Sequence, residues 1–352
     1  MSAGVIGMPY NELRKDYLLD RWVVIATERG RRPTDFAKRE KTQAKKGVCP
    51  FCPGNEHMTP PAVLAYIESG GKIEKIKDED DFRHKNWIIR CFSNLFPAFN
   101  PPQNTSDRKN FMKSCDLALA VGHHEVLVES PNHDKHPSDA SVQQLVHVVN
   151  AYLDRLFELS SKPYVKYVSI FRNHGLEAGA SLSHAHSQII ATPFVPKIVE
   201  EEMKASRKFW QEHGECVFCN IIKRERESPR FIMENMDFVV FAPWASVNPM
   251  EFWILPKRHA ISPLELSKGE KEGFAKMLKT CFSALKTLLN DPPYNFGFHI
   301  ALGKTASQHY HWHLEVYPKL AIWAGFEKST GVYINTVTPE TAAESLRKEI
   351  SP

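Results

Sequence analysis

The chain has 352 residues, of which 42% are hydrophobic and 24% charged, a composition typical of a soluble globular protein with a large core. The formal net charge of +4 does not indicate nucleic-acid binding by itself, and no apolar run approaches the roughly 20 residues of a membrane helix. Residues 1–17 have the pattern of neither a signal nor a transit peptide, so we expect a cytoplasmic protein with no nucleic-acid or membrane partner.

Strand and helix signals follow an order that occurs twice along the chain. The first half has strand signals at 20–27, 86–99 and 123–131, an amphipathic helix over 138–160, and strands at 165–173 and 186–194. After a polar helical region at 197–214, the second half has strands at 237–245 and 250–260, a helix over 266–289, and strands at 295–302 and 313–319.

Sequence matches between the two halves indicate an internal duplication. The segment EVLVESPNH, which ends at His133, aligns without gaps with EFWILPKRH, which ends at His259. HAHSQ at 184–188 aligns with HYHWH at 309–313. Because a repeat determines the architecture, we predict an α+β fold that duplicates one unit with an antiparallel sheet and a crossing helix. The two predicted domains are residues 1–195 and 196–352.

Four of the seven cysteines form two C-x-x-C pairs, which in a reducing compartment more often hold metal or do redox work than form disulfides. Each pair precedes an isolated histidine and an alternating histidine motif, and mixed sulfur and nitrogen ligands suit a structural zinc ion. We predict two structural zinc ions per chain, bound by Cys49, Cys52, His133 and His184, and by Cys216, Cys219, His259 and His309. His311 or His313 could replace His309, although the alignment favours His309. The alternative is that the cysteines are buried or redox-active thiols.

The HAHSQ motif contains the candidate catalytic residue. Residues i and i+2 of a strand share a face, so His184, His186 and Gln188 point to the same side. If zinc holds His184, then His186 lies beside a rigid site, where a neutral imidazole can attack phosphorus and form a phosphoramidate. Gln188 can hydrogen-bond a phosphate oxygen. A phosphate cradle of amide, backbone N–H and hydroxyl groups is predicted from the preceding Asn173, Gly179 and Ser181.

A non-enzymatic interpretation is a zinc-containing module that binds nucleic acid or protein. The basic run KREKTQAKK at 38–46 could lie on phosphates. However, a lysine cluster is more often a solvated loop, and no base-stacking aromatic residues interleave with this one. We therefore favour an enzyme.

Four motifs together resemble the galactose-1-phosphate uridylyltransferase family of the histidine triad superfamily: CPFCPGN, FSNLFP, RNHGLEAGASLSHAHSQ and AGFE. The resemblance implies two histidine-triad-like units and a ping-pong transfer through a nucleotidyl-histidine. It implies His186 as the nucleophile and Gln188 as its phosphate partner. Substrate contacts are implied for Arg29, Arg32, Asn94, Asn173, Gly179 and Ser181. A homodimer with a shared active site is also implied, with Gly325 and Phe326 of AGFE completing the partner's site.

Departures from the family pattern bear on the substrate. Ala185 and Ser187 replace the proline and glycine of the usual H-P-H-G-Q motif, and Ala321 and Tyr333 replace a lysine and a glutamine that hold hexose 1-phosphate. These departures resemble the ADP-glucose phosphorylase branch, which transfers adenylyl from ADP-glucose to inorganic phosphate and releases glucose 1-phosphate. The alternatives are uridylyl transfer between hexose phosphates and hydrolysis of nucleotides, as in smaller histidine triad proteins.

Overall fold

The structure is a computed structural model that describes residues 11–26, 47–103, 119–302 and 308–350. The predicted phosphate contacts Arg29 and Arg32 lie outside these described residues.

One large antiparallel sheet of 11 strands dominates the described part of the chain. The strands of its first half are β3 (Ala62–Ser69), β4 (Lys72–Ile76), β5 (Trp87–Ser93), β6 (His123–Val128), β7 (Tyr167–His174) and β8 (His186–Thr192). Those of its second half are β9 (Phe231–Glu234), β10 (Phe238–Phe241), β11 (Phe252–Pro256), β12 (Tyr294–His299) and β13 (His313–Pro318).

The strand order is the same in both halves of this sheet. The shared order is β3-β5-β6-β8-β7 in the first half and β9-β10-β11-β13-β12 in the second, and the halves join where β7 pairs with β12. The first half has β4 as an additional edge strand outside β3. A long helix joins β6 to β7 and another joins β11 to β12: α1 (Val142–Ser160) and α4 (Lys268–Leu289). The predicted duplication of an antiparallel α+β unit is confirmed, whereas the sheet runs continuously across the predicted domain boundary.

Both crossing helices lie on the same face of the sheet. The Ser141 side chain caps α1, and Ser267 forms a capping box with Glu270 at the start of α4, so both helices begin with satisfied backbone N–H groups. Their apolar residues join one core that runs under both halves and includes Leu156 of α1 and Phe282 of α4. We call this side the helix face.

The opposite face of the sheet is covered differently in the two halves. In the second half, α2 (Lys197–His213) and α3 (Val217–Arg226) pack on it through an apolar cluster that includes Phe218 and Trp253. In the first half, a smaller cluster of Phe51, Phe92 and Val126 borders the histidine motif. We call this side the site face.

A small sheet contains β1 (Glu12–Lys15), β2 (Trp22–Ile25) and β14 (Tyr333–Asn335). It packs on the second half through Val23 and Val247. Along the chain, β14 lies between α5 (Gly325–Thr330) and α6 (Pro339–Ile350). None of the described helices combines the length and apolar character that crossing a membrane requires.

Candidate active site and metal centres

His186 is the first residue of β8 and is 6% exposed on the site face. Its Nδ1 lies 2.7 Å from the carbonyl oxygen of His184, and because a carbonyl only accepts, the proton of the neutral ring is on Nδ1. The other nitrogen, Nε2, therefore carries the lone pair. Burial, together with the charge of Arg172, lowers the pKa of His186 and favours this neutral form. The imidazole thus has the tautomer that a nucleophile needs.

A buried polar network holds His186 from the helix face. Arg172 of β7 forms an ion pair with Glu129 and donates a 3.2 Å hydrogen bond to the carbonyl oxygen of His186. Glu129 also accepts hydrogen bonds from Ser187 and, at 2.8 Å, from Tyr152 of α1. The Arg172 and Glu129 side chains are almost fully buried. This network links the backbone of the histidine strand to the crossing helix.

Gln188 lies one step along the same face and belongs to a cluster with Asn94 and His124. The Nε2 of His124 is 2.7 Å from Gln188 Oε1 and 3.1 Å from Asn94 Nδ2. Asn94 Oδ1 accepts the backbone N–H of Phe96 at 3.0 Å. The structure thus brings two predicted substrate contacts together, and His124 is a residue that the sequence analysis did not select.

Asn173 lies near the end of β7, and Gly179 belongs to the turn between β7 and β8. Asn295 of β12 donates to Asn173 Oδ1 at 2.8 Å and to the carbonyl oxygen of Ala178 at 2.7 Å, which fixes the turn from the second half. Gly179 has φ +89°, a conformation that a residue with a side chain would rarely adopt. Ser181 follows in an exposed position. The predicted cradle therefore borders the histidine strand.

Gly325 and Phe326 begin α5, and this helix packs on β14 of the small sheet. Phe326 is half exposed. Among the described residues, no hydrogen bond or ring contact joins either one to His186. Their role at a partner's site therefore stays a prediction.

The first predicted metal group is assembled as expected, and Cys49, Cys52, His133 and His184 have ligand atoms within 4.8 Å of one another. His184 Nδ1 lies 3.7 and 3.6 Å from the sulfurs of Cys49 and Cys52, and His133 Nδ1 lies 3.4 Å from Cys52. A tetrahedral zinc ion would place sulfur and nitrogen ligands about 3.6 Å apart. The group therefore fits zinc. His184 Nε2 donates to the carbonyl oxygen of Ser130, which leaves Nδ1 as the ligand atom.

The second metal group contains His311 in place of the predicted His309, and its members are Cys216, Cys219, His259 and His311. Cys219 lies 3.6 Å from the Nδ1 atoms of both histidines, and His311 Nε2 donates to the carbonyl oxygen of Pro256. The prediction of His309 as the fourth ligand was wrong. The counterpart of His184 is His311, because each lies two residues before its strand, β8 or β13. His309 lies outside the group, and its buried Nε2 has no hydrogen-bond partner among the described residues.

A third group that could hold a cation was missed by the sequence analysis. Glu202, His299, His313 and Glu315 bring two carboxylates and two imidazoles within 4.8 Å of one another. Burial alone would lower the pKa of His299, but the charges of Glu202 and Glu315 raise it to about 9. The sequence signals are weak, because His313 and Glu315 alternate on a strand while Glu202 comes from the distant α2.

Comparisons with known proteins place the chain among nucleotidyltransferases. Residues 8–196 match the family model of the galactose-1-phosphate uridyl transferase N-terminal domain, and residues 103–351 match a domain of unknown function, DUF4921. The chain is 34% identical to ADP-glucose phosphorylase of Arabidopsis thaliana, over 96% of this chain and 92% of that protein. It is 32% identical to galactose-1-phosphate uridylyltransferase of Thermotoga maritima, over 96% of this chain and 98% of that protein.

The fold agrees with these matches. A crystal structure of the Arabidopsis thaliana ADP-glucose phosphorylase with bound ADP-glucose superimposes with a TM-score of 0.78, at 30% identity over 96% of this chain and 99% of that one. Fold and sequence together define an enzyme of the nucleotidyltransferase class. The chain belongs to the galactose-1-phosphate uridylyltransferase family, which confirms the family predicted from its motifs.

Proposed function

We propose that the protein is an ADP-glucose phosphorylase that works through a covalent adenylyl-His186. The observation that carries this proposal is the Nδ1–H tautomer of His186, which leaves Nε2 as a nucleophile beside the amides of Gln188 and Asn94. The chain is similar to an ADP-glucose phosphorylase over 96% of its length, which supports adenylyl transfer. The departures at Ala185 and Ser187 agree with this choice.

The chemistry follows from the tautomer. The Nε2 lone pair of His186 attacks the α-phosphorus of ADP-glucose, the bond from that phosphorus to the bridging oxygen breaks, and glucose 1-phosphate leaves. An oxygen of inorganic phosphate then attacks the same phosphorus, the P–N bond breaks, and ADP forms as the ring regains its neutral state. Charge develops on phosphate oxygens in both steps. Neutral donors such as the amides of Gln188 and Asn173 stabilise it without a titratable charge.

Two structural zinc ions per chain are part of this proposal. Cys49, Cys52, His133 and His184 would hold one, and Cys216, Cys219, His259 and His311 the other. Each ion would supply no reactive ligand position, because four protein ligands complete the tetrahedron. The carbonyl oxygen of His184 accepts the Nδ1–H of His186, so a fixed His184 also fixes the nucleophile.

The remaining assignments are proposed with the function. Arg29, Arg32 and Ser181 contact the substrate phosphates, and Gly325 and Phe326 complete the site of a partner in a homodimer. The exposed Phe326 and Ile322 at 84% exposure support such an interface. The enzyme acts in the cytoplasm. Uridylyl transfer between hexose phosphates stays the second candidate because the Thermotoga maritima uridylyltransferase is 32% identical.

The test is transfer of a labelled α-phosphate from ADP-glucose or UDP-glucose to the protein. We expect acid-labile label from ADP-glucose to appear on the wild type and to be released as labelled ADP by inorganic phosphate. His186→Asn should attach no label. His313→Asn, the matched change in the second half, should still attach it.

Each alternative gives a different result. Label only from UDP-glucose, released by a hexose 1-phosphate, would favour the uridylyltransferase. Release by water at the same rate with and without phosphate would favour a hydrolase. Label that persists on His186→Asn would contradict the assignment of the nucleophile.

A further inference from the structure

The amide side chains around His186 share an orientation that the protein itself determines. Asn94 Oδ1 accepts the N–H of Phe96 at 3.0 Å, Asn173 Oδ1 accepts from Asn295 at 2.8 Å, and Gln188 Oε1 lies 2.7 Å from His124 Nε2. Each carbonyl oxygen is therefore engaged by a protein donor. Each amide must then turn its NH₂ group elsewhere, and an anionic substrate needs donors.

The Gln188 orientation depends on one side chain, that of His124. The backbone N–H of Ala98 points at His124 Nδ1 from 3.0 Å, and a backbone N–H can only donate. Nδ1 is therefore an acceptor, so the proton of the neutral ring is on Nε2. That proton points at Gln188 Oε1. A backbone group thus sets the tautomer of His124, and His124 sets the orientation of Gln188.

The Asn94 amide nitrogen also lies near this proton. Asn94 Nδ2 is 3.1 Å from His124 Nε2, and because both atoms carry hydrogens in this tautomer, the contact is a donor–donor approach and not a hydrogen bond. The tautomer therefore rests on the Ala98 N–H and on the shorter contact with Gln188. The two Asn94 amide hydrogens stay available for a substrate oxygen. Strand pairing puts His124 on the same face as Gln188, because Val126, two residues along β6, pairs with Gln188.

We infer that His124 is a positioning residue that holds the Gln188 amide with its NH₂ group toward the substrate phosphates. The inference rests on the proposed function, because the phosphates are those of the nucleotide sugar. A ring that offered an acceptor at Nε2 would let Gln188 turn its oxygen toward the phosphates, where it repels them. His124 itself touches no reacting atom.

The test compares three variants in single-turnover labelling by ADP-glucose. His124→Phe removes the donor, and we expect nucleotidylation to slow roughly 10- to 100-fold with KM changed less than about threefold. His124→Gln can offer an amide N–H near the position of Nε2 and should recover most of the rate. His123→Phe is the matched control, because His123 is the neighbour of His124 on β6. This variant loses a 2.7 Å contact with Tyr164 and no contact with Gln188. That control should keep the wild-type rate.

A double-mutant cycle separates positioning from folding. In a Gln188→Ala background, His124→Phe should slow the reaction less than about twofold, because there is no amide left to orient. Additive losses, or equal losses in His123→Phe, would overturn the inference. Histidine-selective ¹⁵N spectra of the full protein decide the tautomer even if ADP-glucose leaves no label. A proton on Nδ1 of His124 would overturn the inference, whereas absent label with the expected tautomer would count against the proposed function alone.

Discussion

His186 and His313 occupy the same place in the two halves of the molecule. Each is the first residue of its strand, β8 or β13, and each follows a metal-group histidine by two positions. Each also places Nδ1 on the carbonyl oxygen of that histidine, at 2.7 Å for His186 and 3.1 Å for His313. The duplication has therefore produced the same imidazole geometry twice.

The two imidazoles differ at the nitrogen that would attack. His186 lies in the half of the site face that the smaller apolar cluster covers, near Phe51 at 5.3 Å between ring centroids. His313 stacks on Trp253 at 5.2 Å and is fully buried, and Glu315 Oε1 lies 3.2 Å from its Nε2. A carboxylate thus covers the second nitrogen, and α3 closes the face above it.

The residues that surround the two histidines differ in charge more than in position. Val126 pairs with Gln188 as Trp253 pairs with Glu315, so the counterpart of Gln188 is Glu315. By the same register, Glu251 stands where the first half has His124, and His299 stands where it has Asn173. Neutral donors that suit phosphate in one half are replaced in the other by groups that bind cations or each other. This difference supports our proposal of a single phosphate site, in the first half.

The largest expected effects come from breaking each metal group separately. Cys49→Ser and Cys216→Ser should each lose one zinc ion per chain and destabilise the protein, since a structural zinc contributes on the order of 10 kcal/mol to folding of small domains. Only Cys49→Ser should also slow nucleotidylation, by more than roughly 10-fold, because His184 directly orients His186. Metal analysis, thermal unfolding and labelling measure these effects. Equal activity losses in both variants would contradict the functional difference between the halves.

A second test asks what the polar network under His186 is for. In the second half, Phe298 and Leu314 occupy the positions of Arg172 and Ser187, so an apolar core suffices there. Arg172→Met would leave the Glu129 carboxylate buried without its ion-pair partner. We expect the free energy of unfolding to fall by about 3–5 kcal/mol. Arg172 also donates a hydrogen bond to the His186 carbonyl. The nucleotidylation rate, measured on folded protein, should therefore fall roughly 10-fold in addition to any loss from unfolding.

The matched control for this test is Arg155→Met. Arg155 is similarly buried and pairs with Glu125 at 2.6 Å, between α1 and β6. Among the described residues, its hydrogen bonds go to Glu125 and Glu158 and not to the histidine strand. Its loss should cost similar stability in a denaturant titration and leave labelling intact below the unfolding transition. If both variants lost the same activity, the network would serve stability alone.

Much of the fold was predictable because it depends on local periodicity and on the repeat. The crossing helices were expected at 138–160 and 266–289 and are found at Val142–Ser160 and Lys268–Leu289. The β3–β4 hairpin was missed, although its turn has Gly70 and Gly71 at positive φ, a clear hairpin signal. Sheet continuity across β7 and β12 depends on long-range pairing, which periodicity does not reveal.

The site residues were predictable where the spacing of motifs allowed one alignment. The prediction failed where the spacing allowed several. Three histidines alternate at 309–313, so a shift by two residues keeps the same face and the alignment selected His309 instead of His311. The gapless alignment of Glu125 with Glu251 was off by one, which moves a side chain to the other face. His124 was missed because its partners Ala98 and Gln188 come from other segments.

The smallest expected effect concerns the acidic character of the second half. Burial, followed by the charge of Glu315, raises the pKa of Glu251 from 4.5 to about 7. Because the folded pKa is the higher one, the contribution of Glu251 to stability is complete below pH 4.5 and is lost as the pH rises through 7. Glu251→Gln has no such titration. Its free energy of unfolding relative to the wild type should therefore rise by up to about 3 kcal/mol across this interval.

Denaturant titrations of both proteins at several pH values measure this difference. If the amide also loses hydrogen bonds, the difference shifts equally at every pH, so its dependence on pH still reports the titration of Glu251. Glu227→Gln, at an exposed position of the same half, controls for the change in net charge. A flat difference for Glu251→Gln would mean that Glu251 stays ionised next to Glu315. The second half would then tolerate adjacent buried charges, and acidity alone would not explain why its histidine strand is unsuited to phosphate.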